Sequence, residues 1–225
     1  DQGKKVILTG SNASLLSKEL GTRLTGRYKP FEVYPFSFSE FLAFKGMEPT
    51  TEWFYLTDKK VKLLQAFDEY IVRGGFPEYL KNKDREYLKT VYENILYRDI
   101  IARYAIKKQK PLKELVNLLA TNVSSLFTYN ALKKELRLSN AITVKEYISY
   151  LGNSYLFFEV QRYEYALKKQ LNAPKKIYLI DPALHEITGS TFSLNRGRVL
   201  ENVVFIELKR RKKEVYYHSG KSECD

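Results

Sequence analysis

Apolar residues recur with the spacing of α-helices over most of the chain between residues 59 and 151. One such pattern covers 59–72 and ends at Gly74-Gly75, and a longer amphipathic pattern runs from Asp84 to Ala105. Three further helical patterns cover residues 111–121, 128–136 and 141–151. The sequence therefore predicts a mainly α protein with small α+β parts.

Two strand-like runs follow the last three helical patterns. The runs YLFFEVQRYEY and IYLI flank a basic turn, ALKKQLNAPKK. Three helices followed by a two-stranded hairpin is the order of elements in a winged-helix domain, in which the hairpin is the wing. We therefore predict a winged helix over residues 107–182, which begins at a basic, proline-containing joint, and a separate helical region over 51–106.

The net charge favours polyanionic partners. Of 225 residues, 38 are Lys or Arg and 26 are Asp or Glu, which gives a formal charge of +12. A basic balance attracts nucleic acid, but it also serves solubility. The single cysteine, Cys224, rules out an internal disulfide framework, so a cytoplasmic location is expected. No run of apolar residues is long enough for a transmembrane helix, and no membrane association is expected.

Basic side chains in the predicted winged helix are candidates for DNA contacts. They lie on its second helix, its third helix and its wing: Lys133, Lys134, Arg137, Lys145, Lys168, Lys169, Lys175 and Lys176. The third helix, which would enter a major groove, contributes only Lys145, beside Glu146. This distribution favours contacts with phosphates over recognition of bases. A packing or protein-contact role, including self-association, explains the same residues equally well.

A short strand near the start of the chain leads into a polar turn. Val6-Ile7-Leu8 is followed by Thr9-Gly10-Ser11-Asn12 and then by a helical pattern. At the carboxyl end of a strand in a parallel sheet, such hydroxyl and amide groups could orient a water molecule or a nucleotide phosphate. Arg27 follows, and a guanidinium suits phosphate charge. Ordinary turn and helix-end chemistry explains these residues at least as well.

Two acidic residues late in the sequence are candidate metal ligands. Glu201 lies on a predicted helix, and Asp225 ends a predicted strand that returns past that helix. Carboxylates in this arrangement begin a metal-dependent nuclease site, which also needs an acidic residue and a lysine on the next strand. A salt bridge on the helix is the simpler interpretation of Glu201.

Three motifs resemble a family of archaeal and bacterial AAA-type ATPases. The first, VILTGSNASLLSKELGTRLTGRYKPFEVYPFSFSEFL, is similar to the last part of the ATPase core, in which the strand leading to TGS is the sensor strand beside the Walker B strand. The second, YIVRGGFPEYL, resembles the start of the helical region that follows. The third, RGRVLENVVFIELKRRKKEVYYHSGKSECD, resembles the start of a C-terminal restriction-endonuclease-like domain of unknown function.

This resemblance implies an edge of an ATPase core over residues 1–50 and the incomplete start of a nuclease-like domain over 183–225, on either side of the helical region and the winged helix. It also implies roles for the polar residues described above. Thr9, Ser11 and Asn12 would occupy the sensor-one position, and Arg27 would act on the nucleotide in cis or across a subunit contact. Glu201 and Asp225 would match the first acidic positions of the nuclease-like fold.

The chain departs from the family pattern in its phosphate loop. The Walker A and Walker B motifs, which precede the sensor strand in the family, are absent, and Gly220-Lys221-Ser222 has Val215 where GxxxxGK[ST] requires Gly. We therefore expect a fragment whose parent uses ATP and Mg²⁺ on or near double-stranded DNA, whereas this chain alone carries no cofactor and hydrolyses no ATP. The alternative is a basic winged-helix module that binds DNA or another protein.

Overall fold

A capping box at Ser37 starts the first helix of the computed structural model, which describes residues 29–188 and 195–219, with Ile7, Thr9, Gly10 and the backbone of 223–224. The Ser37 side chain accepts a hydrogen bond from the Glu40 N–H (3.2 Å), and the Glu40 carboxylate accepts one from the Ser37 N–H (2.7 Å). This helix, α1 (Phe38–Phe44), buries Phe41 and Leu42.

The helices predicted between residues 51 and 106 are present, with one change of helix type. A 3₁₀ turn at Thr51–Phe54 precedes α2 (Thr57–Arg73), α3 (Pro77–Asn82) and α4 (Arg85–Glu93). Pro77 is at the start of α3, where its missing N–H has no intrahelical partner to lose. The long amphipathic pattern is helical, but α4 continues as a π-helix at Asn94–Ala102.

Residues 109–179 form a unit of helices around a small antiparallel sheet, called here the helix–sheet unit. Its elements are α5 (Gln109–Thr121), β1 (Leu126–Phe127), α6 (Tyr129–Glu135), α7 (Ala141–Asn153), β2 (Phe157–Val160), α8 (Leu167–Asn172) and β3 (Lys175–Leu179). The strand order is β1-β3-β2, with Phe157 opposite Leu179 and Leu126 opposite Lys176. The three predicted helices and two predicted strands are present, whereas β1 and α8 were not predicted.

The main hydrophobic core joins this unit to the helical region before it. Its buried residues come from α5, α6, α7 and the sheet, and include Leu115, Leu151 and Ile177. Leu96 and Ile100 of the π-helix belong to the same cluster. The segments on the two sides of the predicted boundary at residue 107 therefore share one core.

The last described helix packs on the central strand of the sheet. Helix α9 (Arg196–Arg210) is capped by Asn195, whose side chain accepts hydrogen bonds from two N–H groups of its first turn. The Asn202 side chain accepts a hydrogen bond from the Leu179 N–H (2.7 Å) and donates one to the Leu179 carbonyl (2.9 Å). Phe205 stacks on Tyr178, with ring centroids 4.0 Å apart. A buried asparagine thus fixes α9 at the end of β3.

Beyond α9, the chain returns to the sheet. The Tyr163 N–H donates to the Tyr217 carbonyl (2.8 Å), beside a parallel bridge between Arg162 and Tyr217. The strands β4 (His218–Ser219) and β5 (Glu223–Cys224) then pair antiparallel. Among the described residues, no helix has both the length and the apolar composition needed to cross a membrane.

Candidate nucleic-acid interface

Six of the eight predicted DNA-binding residues have side chains that reach solvent. Lys134, Arg137, Lys145, Lys168 and Lys169 are exposed, and Lys133 is half-buried. Lys133 and Lys134 lie in the last turn of α6, where positive charge also favours the helix dipole. Lys168 and Lys169 lie on α8, which buries none of its own residues. These six residues remain candidates for contacts with phosphates.

Lys175 differs from this expectation because its side chain is buried. Only 5% of the residue is exposed, and its ammonium donates hydrogen bonds to the carbonyls of Leu171 (2.9 Å) and Ala173 (2.8 Å). The ammonium also lies 5.1 Å from the centre of the Tyr129 ring. Burial lowers the pKa of Lys175, an effect that Glu159 opposes. Lys175 therefore stabilises the end of α8, and its side chain is shielded from solvent.

Lys176 also has a structural role, because it forms an ion pair with Glu201. It is 2% exposed, and its ammonium lies 3.2 Å from the Glu201 carboxylate. The same carboxylate oxygen accepts a hydrogen bond from the Tyr178 hydroxyl (2.7 Å). Glu201 therefore links α9 to β3. The burial of Lys176 and this pairing argue against a DNA contact and support the salt-bridge interpretation of Glu201.

The predicted metal and sensor residues fall mostly outside the described part of the chain. Asp225, Ser11, Asn12 and Arg27 lie outside it, and Thr9 lies within it and is exposed. Within the described ranges, no three His, Cys, Asp or Glu residues lie close enough together to hold a metal ion.

Asp181, two residues after the end of β3, lies at a buried junction that was not predicted from the sequence. One carboxylate oxygen accepts a hydrogen bond from the Gly75 N–H (2.7 Å), and the other accepts one from the Ala183 N–H (2.9 Å). Burial raises the pKa of the Asp181 carboxyl to about 7, although the two N–H donors and the charge of Arg210 act to lower it. Two features of the sequence could have indicated this contact: the Gly-Gly pair after α2 and the Asp-Pro pair that follows β3.

Both glycines of the pair are required by close contacts. A Cβ on Gly74 would lie 1.7 Å from a carboxylate oxygen of Asp181, and one on Gly75 would lie 2.2 Å from the Phe36 carbonyl oxygen. The Phe36 N–H donates to the Gly75 carbonyl (2.8 Å), and the Tyr70 hydroxyl donates to the Phe36 carbonyl (2.7 Å). We call Phe36, Gly74, Gly75 and Asp181 the glycine–aspartate junction.

A protein-family profile described as "Domain of unknown function (DUF8612)" matches residues 64–189, which is more than half of the chain. The chain belongs to this family. The matched range includes Gly74, Gly75 and Asp181, and all of the helix–sheet unit. A second profile, described as "AAA domain", matches residues 1–42. Phe36 lies in this range, so the glycine–aspartate junction joins segments matched by the two profiles.

Two similar proteins are uncharacterised, one archaeal and one bacterial. The chain is 36% identical over 219 residues to an uncharacterised protein of Methanocaldococcus jannaschii, which covers 94% of this chain and 48% of that protein. It is 33% identical over 213 residues to an uncharacterised protein of Haemophilus influenzae, covering 92% of this chain and 51% of that protein. The chain thus spans about half the length of these curated relatives. No solved structure gives a significant match.

A buried histidine lies next to the junction in this family region. His185 belongs to the 3₁₀ turn Pro182–Glu186 that follows Asp181. Its ring nitrogens have no hydrogen-bond partner among the described residues. Burial lowers the pKa of His185 to about 4, so the ring is neutral at physiological pH. Because no set of metal ligands surrounds it among the described residues, we interpret His185 as a core residue.

Proposed function

We propose that this chain is the part of an AAA-type ATPase that connects the edge of the ATPase core to a nucleic-acid-binding unit. The observation that supports this most directly is the glycine–aspartate junction. It ties Phe36, in the segment matched by the AAA profile, to Asp181 at the end of the helix–sheet unit. In this proposal, Thr9, Ser11 and Asn12 contact the nucleotide as the sensor, and Arg27 acts on its phosphates.

The ATP chemistry itself belongs, in this proposal, to a longer protein. The sequence contains no GxxxxGK[ST], so the residues of this chain alone do not make a site for ATP and Mg²⁺. We expect no ATP turnover by the purified chain. We expect the parent protein to hydrolyse ATP, and replacing its phosphate-loop lysine to abolish turnover. Robust hydrolysis by this chain, or none by the parent, would contradict the proposal.

The helix–sheet unit is, in the same proposal, a winged helix that binds duplex DNA. Its order of elements, helix–strand–helix–helix–strand–helix–strand, in which α8 lies within the β2–β3 connection, and its strand order β1-β3-β2 support this assignment. Helix α7 would be the helix facing the groove, and the β2–β3 connection would be the wing. Self-association through this unit is the alternative, and light scattering at high protein concentration would reveal it.

Contacts with phosphates would dominate such binding. Lys133, Lys134, Arg137, Lys168 and Lys169 lie outside the groove-facing helix, which contributes Lys145 beside Glu146. Each lysine that neutralises a phosphate releases counterions, so the affinity should fall steeply with salt and depend little on sequence.

The test compares two pairs of exposed lysines. Lys168→Gln with Lys169→Gln should weaken binding to a blunt duplex and reduce the slope of log affinity against log salt by about 1 to 2. Lys60→Gln with Lys62→Gln removes the same charge from exposed positions of α2 and should leave the slope nearly unchanged. An equal effect of the two pairs would mean that only net charge matters. Absence of binding at low salt would contradict the proposal outright.

The segment after the helix–sheet unit would begin a nuclease-like domain in the parent. The helix α9 followed by β4 and β5 supports this part of the proposal. Because Glu201 is engaged by Lys176 and Tyr178, we do not assign it a metal-binding role.

A further inference from the structure

Three tyrosine side chains form an exposed cluster where the β2–β3 connection meets the segment after α9. Tyr165 is 96% exposed, and Tyr163 and Tyr216 are 49% and 45% exposed. The centroids of the Tyr163 and Tyr165 rings are 5.5 Å apart, and those of Tyr163 and Tyr216 are 6.1 Å apart. Both pairs are close to edge-on, so ring faces are left open to solvent. We call these three residues the tyrosine cluster.

The backbone holds this cluster in place. The hydrogen bond from the Tyr163 N–H to the Tyr217 carbonyl fixes the two chain segments side by side. The neighbouring Tyr217 is buried, and its hydroxyl donates to the Pro174 carbonyl. Tyr163 and Tyr216 are thus presented by an ordered backbone. Tyr165 contacts Tyr163 through its ring and through a side-chain hydrogen bond, and 96% of the residue stays exposed.

Exposed lysines flank the cluster along the chain. Lys168 and Lys169 are exposed on α8, three and four residues after Tyr165, and Lys212 and Lys213 are exposed in the basic run before Tyr216. Three or four residues of chain span at most about 10 to 14 Å, so these lysines lie within reach of a ligand seated on the rings. Glu164, which follows Tyr163, is paired with Arg162 (3.0 Å). The exposed Glu214, between Lys213 and Tyr216, offsets one of the four lysines, and the surface still combines open aromatic faces with an excess of positive charge.

We infer that the tyrosine cluster binds unpaired nucleotides of a nucleic acid strand, with bases stacked on the tyrosine rings and phosphates contacted by the flanking lysines. Aromatic faces and lysines are the combination that single-stranded nucleic acids require, because every base has a face that can stack and every linkage carries a negative charge. A protein partner would use the same rings, but four flanking lysines favour a polyanion. This inference goes beyond duplex binding and does not depend on it.

The test uses the whole chain and a fluorescently labelled oligothymidylate of about 12 nucleotides, within the range of common single-strand binding sites. Tyr165→Ala should weaken binding at least about fivefold, since stacking of a base on an aromatic side chain contributes roughly 1 kcal/mol or more. Tyr165→Phe keeps the ring, and its affinity for the oligonucleotide should lie within about twofold of that of the unsubstituted chain. Tyr55→Ala is the matched control, because Tyr55 is 83% exposed in the helical region, and it should change nothing.

Stacking is measured separately with an oligonucleotide that contains a fluorescent adenine analogue quenched by stacking. Its emission should fall on binding to the chain and to Tyr165→Phe, and less on binding to Tyr165→Ala. Unchanged emission, or equal affinity of Tyr165→Ala and the unsubstituted chain for the oligonucleotide, would overturn the inference. The inference would also be overturned if the chain did not bind the oligonucleotide but self-associated, and if Tyr165→Ala abolished that self-association. Binding to the single strand but not to a blunt duplex would refute the proposed duplex binding and leave this inference standing.

Discussion

The carboxylate of Asp181 accepts a hydrogen bond of 2.7 Å from the backbone N–H of Gly75, which lies 106 residues earlier in the chain. The contact is possible because Gly74 and Gly75 have no side chains, and it brings the end of β3 against the turn between α2 and α3. Phe36 pairs with the other side of the same turn. A change at this junction should therefore affect the stability of the whole described structure.

Replacing Gly74 by alanine should destabilise the chain much more than the same change at Gly46. Both glycines have positive φ, +66° and +69°, but a Cβ meets Asp181 only at Gly74, and nothing lies within 4 Å of one at Gly46. Gly46→Ala should lower the free energy of unfolding by about 1 kcal/mol through backbone strain. Gly74→Ala should lower it by about 3 kcal/mol. Urea denaturation measures both, and equal losses would contradict the packing described for the junction.

Asp181 should make the stability of the chain depend on pH. Burial raises the pKa of its carboxyl from the ordinary value of 3.8 to about 7 in the folded state. The folded chain therefore keeps a proton that the unfolded chain has already lost. This contribution to stability is complete below 3.8 and declines as the pH rises towards 7, by about 1.4 kcal/mol per pH unit in between.

The variant Asp181→Asn isolates that effect because an amide does not titrate. Its NH₂ group faces one of the two backbone donors, which lowers stability by an amount that does not depend on pH. The free energy of unfolding of the unsubstituted chain minus that of Asp181→Asn should therefore decrease as the pH rises from 3.8 to about 7. Urea denaturation at several pH values measures the difference, and a constant difference would show that the carboxyl titrates normally.

The helices could be predicted from the sequence because their signals are local. The spacing of Leu112, Leu115 and Leu119 and the caps at Thr128 and Asn140 lie within single elements. Strand β1 has only two residues and exists through its pairing with β3, so no periodicity could reveal it. The π-helical continuation of α4 was missed for a similar reason, since its apolar spacing resembles that of an α-helix.

The candidate site was predicted less well because burial of charge depends on distant partners. In the sequence, Lys175 and Lys176 end a basic turn and therefore resemble solvent-facing residues, although the structure places both in β3. Besides its local carbonyl partners, Lys175 lies over the ring of Tyr129, 46 positions earlier. Lys176 pairs with Glu201, 25 positions later. The position of Asp181 likewise depends on Gly75. The open tyrosine faces could be predicted only in part, because Tyr216 joins the others through a backbone bridge remote in sequence.

His185 should have the opposite pH dependence from Asp181. Burial lowers the pKa of its ring from 6.5 to about 4, so the unfolded chain binds a proton more readily than the folded chain. Its contribution to stability is complete above 6.5 and is lost as the pH falls towards 4. In His185→Leu the unfolding free energy should fall less on acidification across this window than in the parent chain. The variants are needed because the pH ranges in which Asp181 and His185 change the free energy of unfolding overlap, and the two effects have opposite signs. If acidification lowered the unfolding free energy of His185→Leu as much as that of the unsubstituted chain, the prediction would be contradicted.

The Lys176–Glu201 pair should matter for stability rather than for nucleic-acid binding. Lys176→Met should lower the free energy of unfolding by about 2 kcal/mol, because it leaves the partly buried Glu201 carboxylate without its nearby ammonium. Adding Glu201→Leu should recover part of that loss, since both charges are then replaced by apolar groups. The exposed Lys168→Met is the control for stability and should change it by less than about 0.5 kcal/mol. Under conditions where all variants are folded, Lys168→Met should weaken duplex binding and Lys176→Met should not. If Lys176→Met weakened duplex binding and Lys168→Met did not, Lys176 would contact DNA despite its burial, and the prediction would be wrong.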